Sequence, residues 1–308
     1  MLGRGVAERL RAAPAGLLFA PEVVEVCEEA DLFVLNLECC ISERGAPWRA
    51  PGKPFFFRAP PAAVEALVEL GVDCVTLANN HALDFGADAL IDTLEHLSAA
   101  GISCVGAGPN VAAARTASVI ESKGFRLAVI GVTDHPEDFA AAEDRPGVAY
   151  ADLRTGVPEW LAEAIGAVDA DAVLVTPHWG PNTSPDPVRH VREAAPALLT
   201  AGASLVAGHS AHVFQGVQGR VLYDLGDFID DYVTDPALRN DLGLLFLLTL
   251  DLAGPVRLEA IPLKLEFCYT RLADGDEAGW IRRRFRDACA ALGTEVEERG
   301  DRLLVSWR

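Results

Sequence analysis

Three short apolar runs in this 308-residue chain each end in histidine, and that arrangement narrows the possible folds more than any other feature. Cys74-Val75-Thr76-Leu77-Ala78 leads into Asn79-Asn80-His81, and Ala172-Val173-Leu174-Val175-Thr176 leads into His178-Trp179-Gly180. Ala203-Ser204-Leu205-Val206-Ala207 leads into Gly208-His209-Ser210-Ala211-His212. Runs this short, without polar alternation, read as strands buried on both faces of a parallel sheet. Parallel strands end on the same side, so their histidines gather at the carboxyl edge, where open α/β sheets place their sites. Imidazole combined with amide or carboxylate oxygen suits a divalent metal.

The segments between these runs carry the complementary signal. Residues 21–30, 61–70, 86–100, 158–167 and 187–201 read as helices. Residues 31–37, 72–78, 102–105, 171–176 and 203–207 read as the strands between them, with Gly71 and Gly101 closing two helices. Residues 117–133 read as a hairpin around Lys123-Gly124, and 134–150 as an acidic loop. From about residue 213 the pattern turns antiparallel: 213–217, 221–225, 242–252 and 256–267 are strand-like, then a helix at 277–291 and a strand at 302–307. Parallel units followed by an antiparallel set predict two stacked mixed sheets with outer helices. With no internal repeat and no low-complexity linker, one domain spanning 1–308 is the expectation.

Bulk properties remove several function classes. A net charge of -19 argues against binding a nucleic-acid backbone, which needs a basic footprint. An anionic substrate stays open, because a metal inverts the local sign. No uninterrupted apolar run approaches the roughly 18 residues of a membrane span, and Met1-Leu2-Gly3-Arg4-Gly5 does not read as a signal peptide. The seven cysteines are odd in number, include adjacent Cys39-Cys40 and form no CxxC. Small reduced hydrophobes in a cytoplasmic setting are the expectation.

Several residues carry candidate chemistry. Strand periodicity puts Asn36 and Glu38 on one face; alone, Glu38 also reads as a solvated strand-end carboxylate. The Asn80 oxygen can ligate a metal, and His81 can act as a general acid. Asp84 either holds the His81 tautomer or caps the helix that follows. His178 either packs beside Trp179 or ligates. His209 and His212, three apart on a turn, can reach one ion or two neighbouring ones. His96 and His190 read as solvated helix residues, and His135 carries no assigned role. An oxygen donor mixed with imidazoles favours Mn, Zn or Fe over Ca or Mg.

These stretches together resemble the CapA family of poly-γ-glutamate capsule-synthesis proteins, within the calcineurin-like metallophosphoesterase superfamily. The matching segments are Asn36-Leu37-Glu38, Phe57-Arg58-Ala59-Pro60-Pro61, the run from Ala78 to Gly86, His178-Trp179-Gly180, the run from Gly208 to Gly216, and Tyr223-Asp224-Leu225-Gly226-Asp227-Phe228. They fall within 1–235, leaving 236–308 as closing strands and a helix. The resemblance implies a four-layer α/β/β/α sandwich. It implies that Glu38 either bridges two ions or binds one, that Asn80, His178 and His209 hold the same ion, that His212 serves a neighbouring one, and that His81 is the acid. It further implies that Asn36 and Asp227 support the site, and that Arg58 and Lys53 hold a substrate anion. The family opens with a strand ending in Gly-Asp that has no counterpart before Met1. The expected sheet therefore lacks its first strand, and the second metal position lacks a carboxylate.

The implied function is metal-dependent hydrolysis, with one or two ions, of a phosphoester or a γ-glutamyl amide in capsule synthesis. The alternatives are a non-catalytic protein that binds poly-γ-glutamate or a capsule synthase, and a biosynthetic enzyme acting on a small metabolite.

Overall fold

The computed structural model describes residues 1–12, 18–49 and 53–307. Four layers follow one another: helix, sheet, sheet, helix. The second sheet has six strands and holds Phe125–Thr133, Ala172–His178 and Leu205–Ala207 side by side in parallel; two of the three histidine-ended runs lie here, and the third, Cys74–Thr76, lies in the other sheet layer. Ser118–Ser122 pairs antiparallel with Phe125–Thr133 through a turn in which Lys123 and Gly124 both take positive φ (53° and 80°), the turn that suits the twist of a hairpin.

Side-chain alternation shows how these strands bind two cores at once. Leu127 and Val129, Ala172 and Leu174, and Leu205 and Ala207 face the layer between the sheets. Ala128, Ile130, Val173, Val175 and Val206 face the helices Glu159–Ala167 and Arg189–Ala201, among Leu161, Ile165, Ala195 and Leu198. The strands are buried on both faces, so truncating one of their leucines or Ile130 to Ala is expected to cost about 2–5 kcal/mol. At Gly131 the layers approach closely: a Cβ there would sit 2.4 Å from Thr76 Oγ1.

The other sheet layer departs from expectation by splitting in two. Val34–Asn36, Cys74–Thr76 and Ser103–Val105 form a three-stranded parallel piece covered by Pro21–Cys27, Ala63–Glu69 and Ala87–Ala99. Leu242–Asp251, Gly254–Glu266, Tyr269–Leu272, Glu297–Arg299 and Arg302–Ser306 form a separate antiparallel piece. Among the described residues, the free edges of Val34–Asn36 and Leu242–Asp251 make no ladder with any strand. A largely apolar cavity of about 620 Å³ lies between them, and its walls reach Glu38, His209, His212 and Asp227.

Other departures are smaller. Residues 213–217 give only the two-residue strand Val217–Gln218 plus a bridge from Phe214 to Leu225. The acidic loop contains a 3₁₀ turn at Glu137–Phe139 and a short strand at Gly147–Val148. The helix Arg4–Ala12 and the pairing of Cys40–Ile41 with Arg58–Ala59 were not expected. All seven cysteines are free, and all but the half-buried Cys104 are buried. Burial pushes the thiols of Cys27 and Cys39 up to about 11 and that of Cys74 to about 12.

Candidate functional site

Parallel pairing brings the strand ends together, and the histidines converge there. Val34–Asn36 is followed by Glu38, Cys74–Thr76 by Asn79-Asn80-His81, and Leu205–Ala207 by Gly208-His209. Ala172–His178 ends on its own histidine. His178 is register-paired with Thr133 and bridged to His209.

Asn79, rather than Asn80, stitches the first wall. Its side-chain amide donates to Leu37 O (2.9 Å) and Asn36 Oδ1 (3.0 Å), and its oxygen accepts from the His81 amide (3.0 Å). Asn36 Nδ2 donates in turn to Glu38 Oε2 at 3.0 Å. The buried His81 ring has Nδ1 2.6 Å from Asp84 Oδ2 and Nε2 4.0 Å from Glu38 Oε1, with the Phe57 ring against it. Asp84 had two readings from sequence. The helix Ala87–Ala99 is capped at Gly86 without any side-chain hydrogen bond, so in this structure Asp84 orients His81 and does not cap.

The second wall is built from imidazoles. Gly208 is required because a Cβ would meet Trp179 Nε1 and Tyr223 O at 2.3 Å, and those two atoms hydrogen-bond to each other at 2.9 Å. Ser210 and His212 both take positive φ (137° and 59°), which turns the His209 and His212 rings toward the site. His209 Nδ1 lies 2.8 Å from His178 Nδ1, and its Nε2 lies 3.0 Å from Thr176 Oγ1. His212 Nδ1 lies 3.0 Å from Asp227 Oδ1. Asp224 fastens the turn by accepting from the Ala211 and Gly226 amides.

Not every candidate joins this cluster. Arg58 stacks over the Phe85 ring at 4.1 Å and donates to Arg44 O. Lys53 is drawn inward: its ammonium lies 2.6 Å from Asp84 Oδ1 and donates to Asn80 O at 2.6 Å. Neither is presented as a free cation for a substrate anion. His190 is not a purely solvated residue, since its Nε2 lies 3.0 Å from Asp134 Oδ2.

The sequence reading missed Asp134 and His135. The Asp134 carboxylate meets His135 Nδ1, His190 Nε2 and the Gly180 amide, and the His135 ring lies 5.0 Å from that of His178. The signal was present, because Asp134-His135 directly follows the apolar strand Phe125–Thr133 as the other histidines follow theirs. Reading 134–150 as an acidic loop hid it.

The electrostatics of the second wall divide its three imidazoles. Burial, then the neighbouring imidazoles, keeps His178 well below the usual histidine range and His209 down to about 3. Both rings are held in the neutral form that ligation requires, and His178 Nε2 is the nitrogen without a hydrogen-bond partner. Burial opposes charge on His212, but Asp227, with Glu38 and Asp224, outweighs it and pushes the ring up to about 10.

Among the described residues, no group of three or more His, Cys, Asp or Glu side chains stands ready at metal-holding distances. Of the buried atoms that nevertheless lack any hydrogen-bond partner, four belong to the candidate metal ligands and their supports: Glu38 Oε1, Asn80 Oδ1, His178 Nε2 and Asp227 Oδ2. Each is a lone-pair donor, and orphaned buried polar atoms are costly enough to need an explanation. Oxygen and imidazole nitrogen together fit a divalent ion of the Mn, Zn or Fe type.

Comparison with known proteins adds a family. The profile described as "Bacterial capsule synthesis protein PGA_cap" matches residues 1–232. A probable polyglutamine synthesis accessory protein of Mycobacterium tuberculosis is 32% identical over 300 residues, covering 89% of this chain and 76% of that protein. The PGA biosynthesis protein CapA of Bacillus subtilis is 34% identical over 175 residues, covering 55% of this chain and 45% of that protein. A putative 5'-nucleotidase from Staphylococcus aureus superposes with a TM-score of 0.44 at 15% identity, over 88% of this chain and 53% of that one.

Proposed function

The chain belongs to the bacterial capsule synthesis family PGA_cap, and from that membership we propose that it is a metal-dependent hydrolase acting on a phosphoester or a γ-glutamyl amide in polyglutamate capsule synthesis. The observation that carries this reading is the set of four partnerless buried donors, Glu38 Oε1, Asn80 Oδ1, His178 Nε2 and Asp227 Oδ2, beside a carboxylate–imidazole pair. A protein that only displayed a surface to a partner would have no need to bury such atoms.

Glu38, Asn80, His178 and His209 would hold one ion, and His212, backed by Asp227, would serve a neighbouring position. A divalent ion bound there lowers the pKa of a water and polarises a phosphoryl or acyl oxygen. Asp84 keeps the Nδ1 proton of His81 turned toward itself. To act as the acid the ring also carries a proton on Nε2, on the side that faces Glu38; that proton goes to the leaving group and leaves a neutral ring with its hydrogen on Nδ1. Thr176 at His209 Nε2 and Asp227 at His212 Nδ1 fix the two rings against rotation. Burial of His81, His178, His209 and His212 limits water around the reacting group.

The test is purified chain with added Mn²⁺ and chromogenic phosphodiester and phosphomonoester probes. Cleavage is expected. His81→Ala is expected to lose about 10²–10⁴ in rate while calorimetry shows metal affinity retained. Wild type that binds metal and cleaves neither probe nor a γ-glutamyl amide would overturn the hydrolase reading and leave the assembly role in its place.

A further inference from the structure

The geometry points to Lys53 as a positioning residue for His81, not a contact for substrate; this inference rests on the acid role given to His81 above. Three observations carry it. First, the ammonium is nearly enclosed, its side chain only 13% exposed and the Asp84 side chain fully buried. Second, it ties together two parts of the site: Asp84 Oδ1, behind the His81 ring, and the backbone oxygen of Asn80, whose side-chain oxygen is one of the partnerless donors. Third, the rings of Phe139, Trp48 and Phe56 stand 5.2, 5.7 and 5.9 Å from Nζ. Aromatic faces at that range hold a cation where solvent would otherwise take it.

The rest of the loop repeats the attachment. The Phe57 amide donates to Asp84 Oδ2 (2.7 Å), and the Trp48 amide donates to Asp84 O (2.7 Å). Asp84 therefore has two tasks for its two carboxylate oxygens. Oδ2 takes the His81 ring and the Phe57 amide, and Oδ1 takes Lys53. With Lys53 in place, the carboxylate cannot rotate to give His81 a different oxygen or leave its ring free. The lysine acts on the chemistry through Asp84 and on the metal-ligand set through Asn80, and it reaches the reacting group through neither.

Lys53→Met and Lys53→Arg in the full chain test this with two readouts. Long-range ¹H–¹⁵N NMR on metal-free protein reports the His81 ring. The parent is expected to show one tautomer with hydrogen on Nδ1, Lys53→Met a mixture, and Lys53→Arg the parent pattern. With Mn²⁺ and a chromogenic phosphodiester, Lys53→Met is expected to lower kcat by about 10- to 100-fold with KM changed by less than about twofold, and Lys53→Arg to recover most of it. Lys53→Met that keeps both the single tautomer and kcat overturns the proposal, as does a rise in KM alone, which would make Lys53 a substrate contact. If the parent cleaves no probe, the hydrolase reading fails and the tautomer alone decides the role of Lys53. Should Lys53→Met not fold by circular dichroism, Lys53→Gln is read against the same two outcomes.

Discussion

Asp84 and Asp227 each stand behind the Nδ1 of a site imidazole, at 2.6 and 3.0 Å, the first fully buried and the second nearly so, but their surroundings differ. Asp84 meets an ammonium, a backbone amide and a ring nitrogen. Asp227 meets His212 on one oxygen, and its other oxygen has no hydrogen-bond partner. Nearby Asp230 is pushed up to about 7, by burial and then by the charge of Asp227. The Asp84 carboxylate is engaged on both oxygens within the chain, by an ion pair on Oδ1 and hydrogen bonds on Oδ2, whereas Asp227 is engaged by His212 on one oxygen only. A finished ion pair fixes geometry; an unfinished one leaves room for a cation from outside.

The sharpest way to break this contrast is Asp84→Ala. It strands the Lys53 ammonium and removes the acceptor of His81 and Phe57, so a loss of about 3–5 kcal/mol in urea unfolding is expected. Next is the metal. Zn²⁺ or Mn²⁺ at 100 times its Kd should add about 2.7 kcal/mol to the unfolding free energy, and His178→Ala should abolish the gain; a gain that survives in His178→Ala would place the ion elsewhere.

A third buried carboxylate, Asp241, extends the comparison away from the site. It pairs with Arg239 and Lys264. Burial alone would raise it, but those two cations hold it down to about 2. Its folded value lies below its unfolded one, so its contribution is present above about pH 3.8 and is lost as pH falls toward 2. Relative to Asp241→Asn, the parent should show about 1–2 kcal/mol more stability at pH 5, with the difference disappearing in acid titration. The smallest effect is expected for Asp227→Asn in metal-free protein, a change of about 1 kcal/mol or less, because relief of repulsion with Asp230 offsets the weakened bond to His212. A cost matching that of Asp84→Ala would remove the distinction between the walls.

What could be read from sequence follows the reach of local signals. Apolar runs fix the strands, and parallel order fixes where their ends go, so Glu38, Asn80, His81, His178, His209 and His212 could be gathered without coordinates. The enclosure of Lys53 could not be foreseen. A lysine in a stretch rich in Pro and Gly gives the local signal of a surface cation, and only the return of the loop over Trp48, Phe56 and Phe139 takes it inside. His190 failed for a similar reason: its partner Asp134 lies 56 residues earlier, and helical periodicity carries no trace of it. The division of the first sheet layer depends on which edges pair, a long-range choice that composition does not encode.

The buried cysteines give the molecule a reporter of its own opening. Thiolate, not thiol, reacts with alkylating reagents, and Cys39, fully buried beside Glu38, is pushed up to about 11. At neutral pH it is thus shielded twice, by packing and by protonation. Its labelling rate, read by mass spectrometry, should count the moments at which the segment around Glu38 comes apart, and slowing of that clock by a divalent ion would register binding without any substrate.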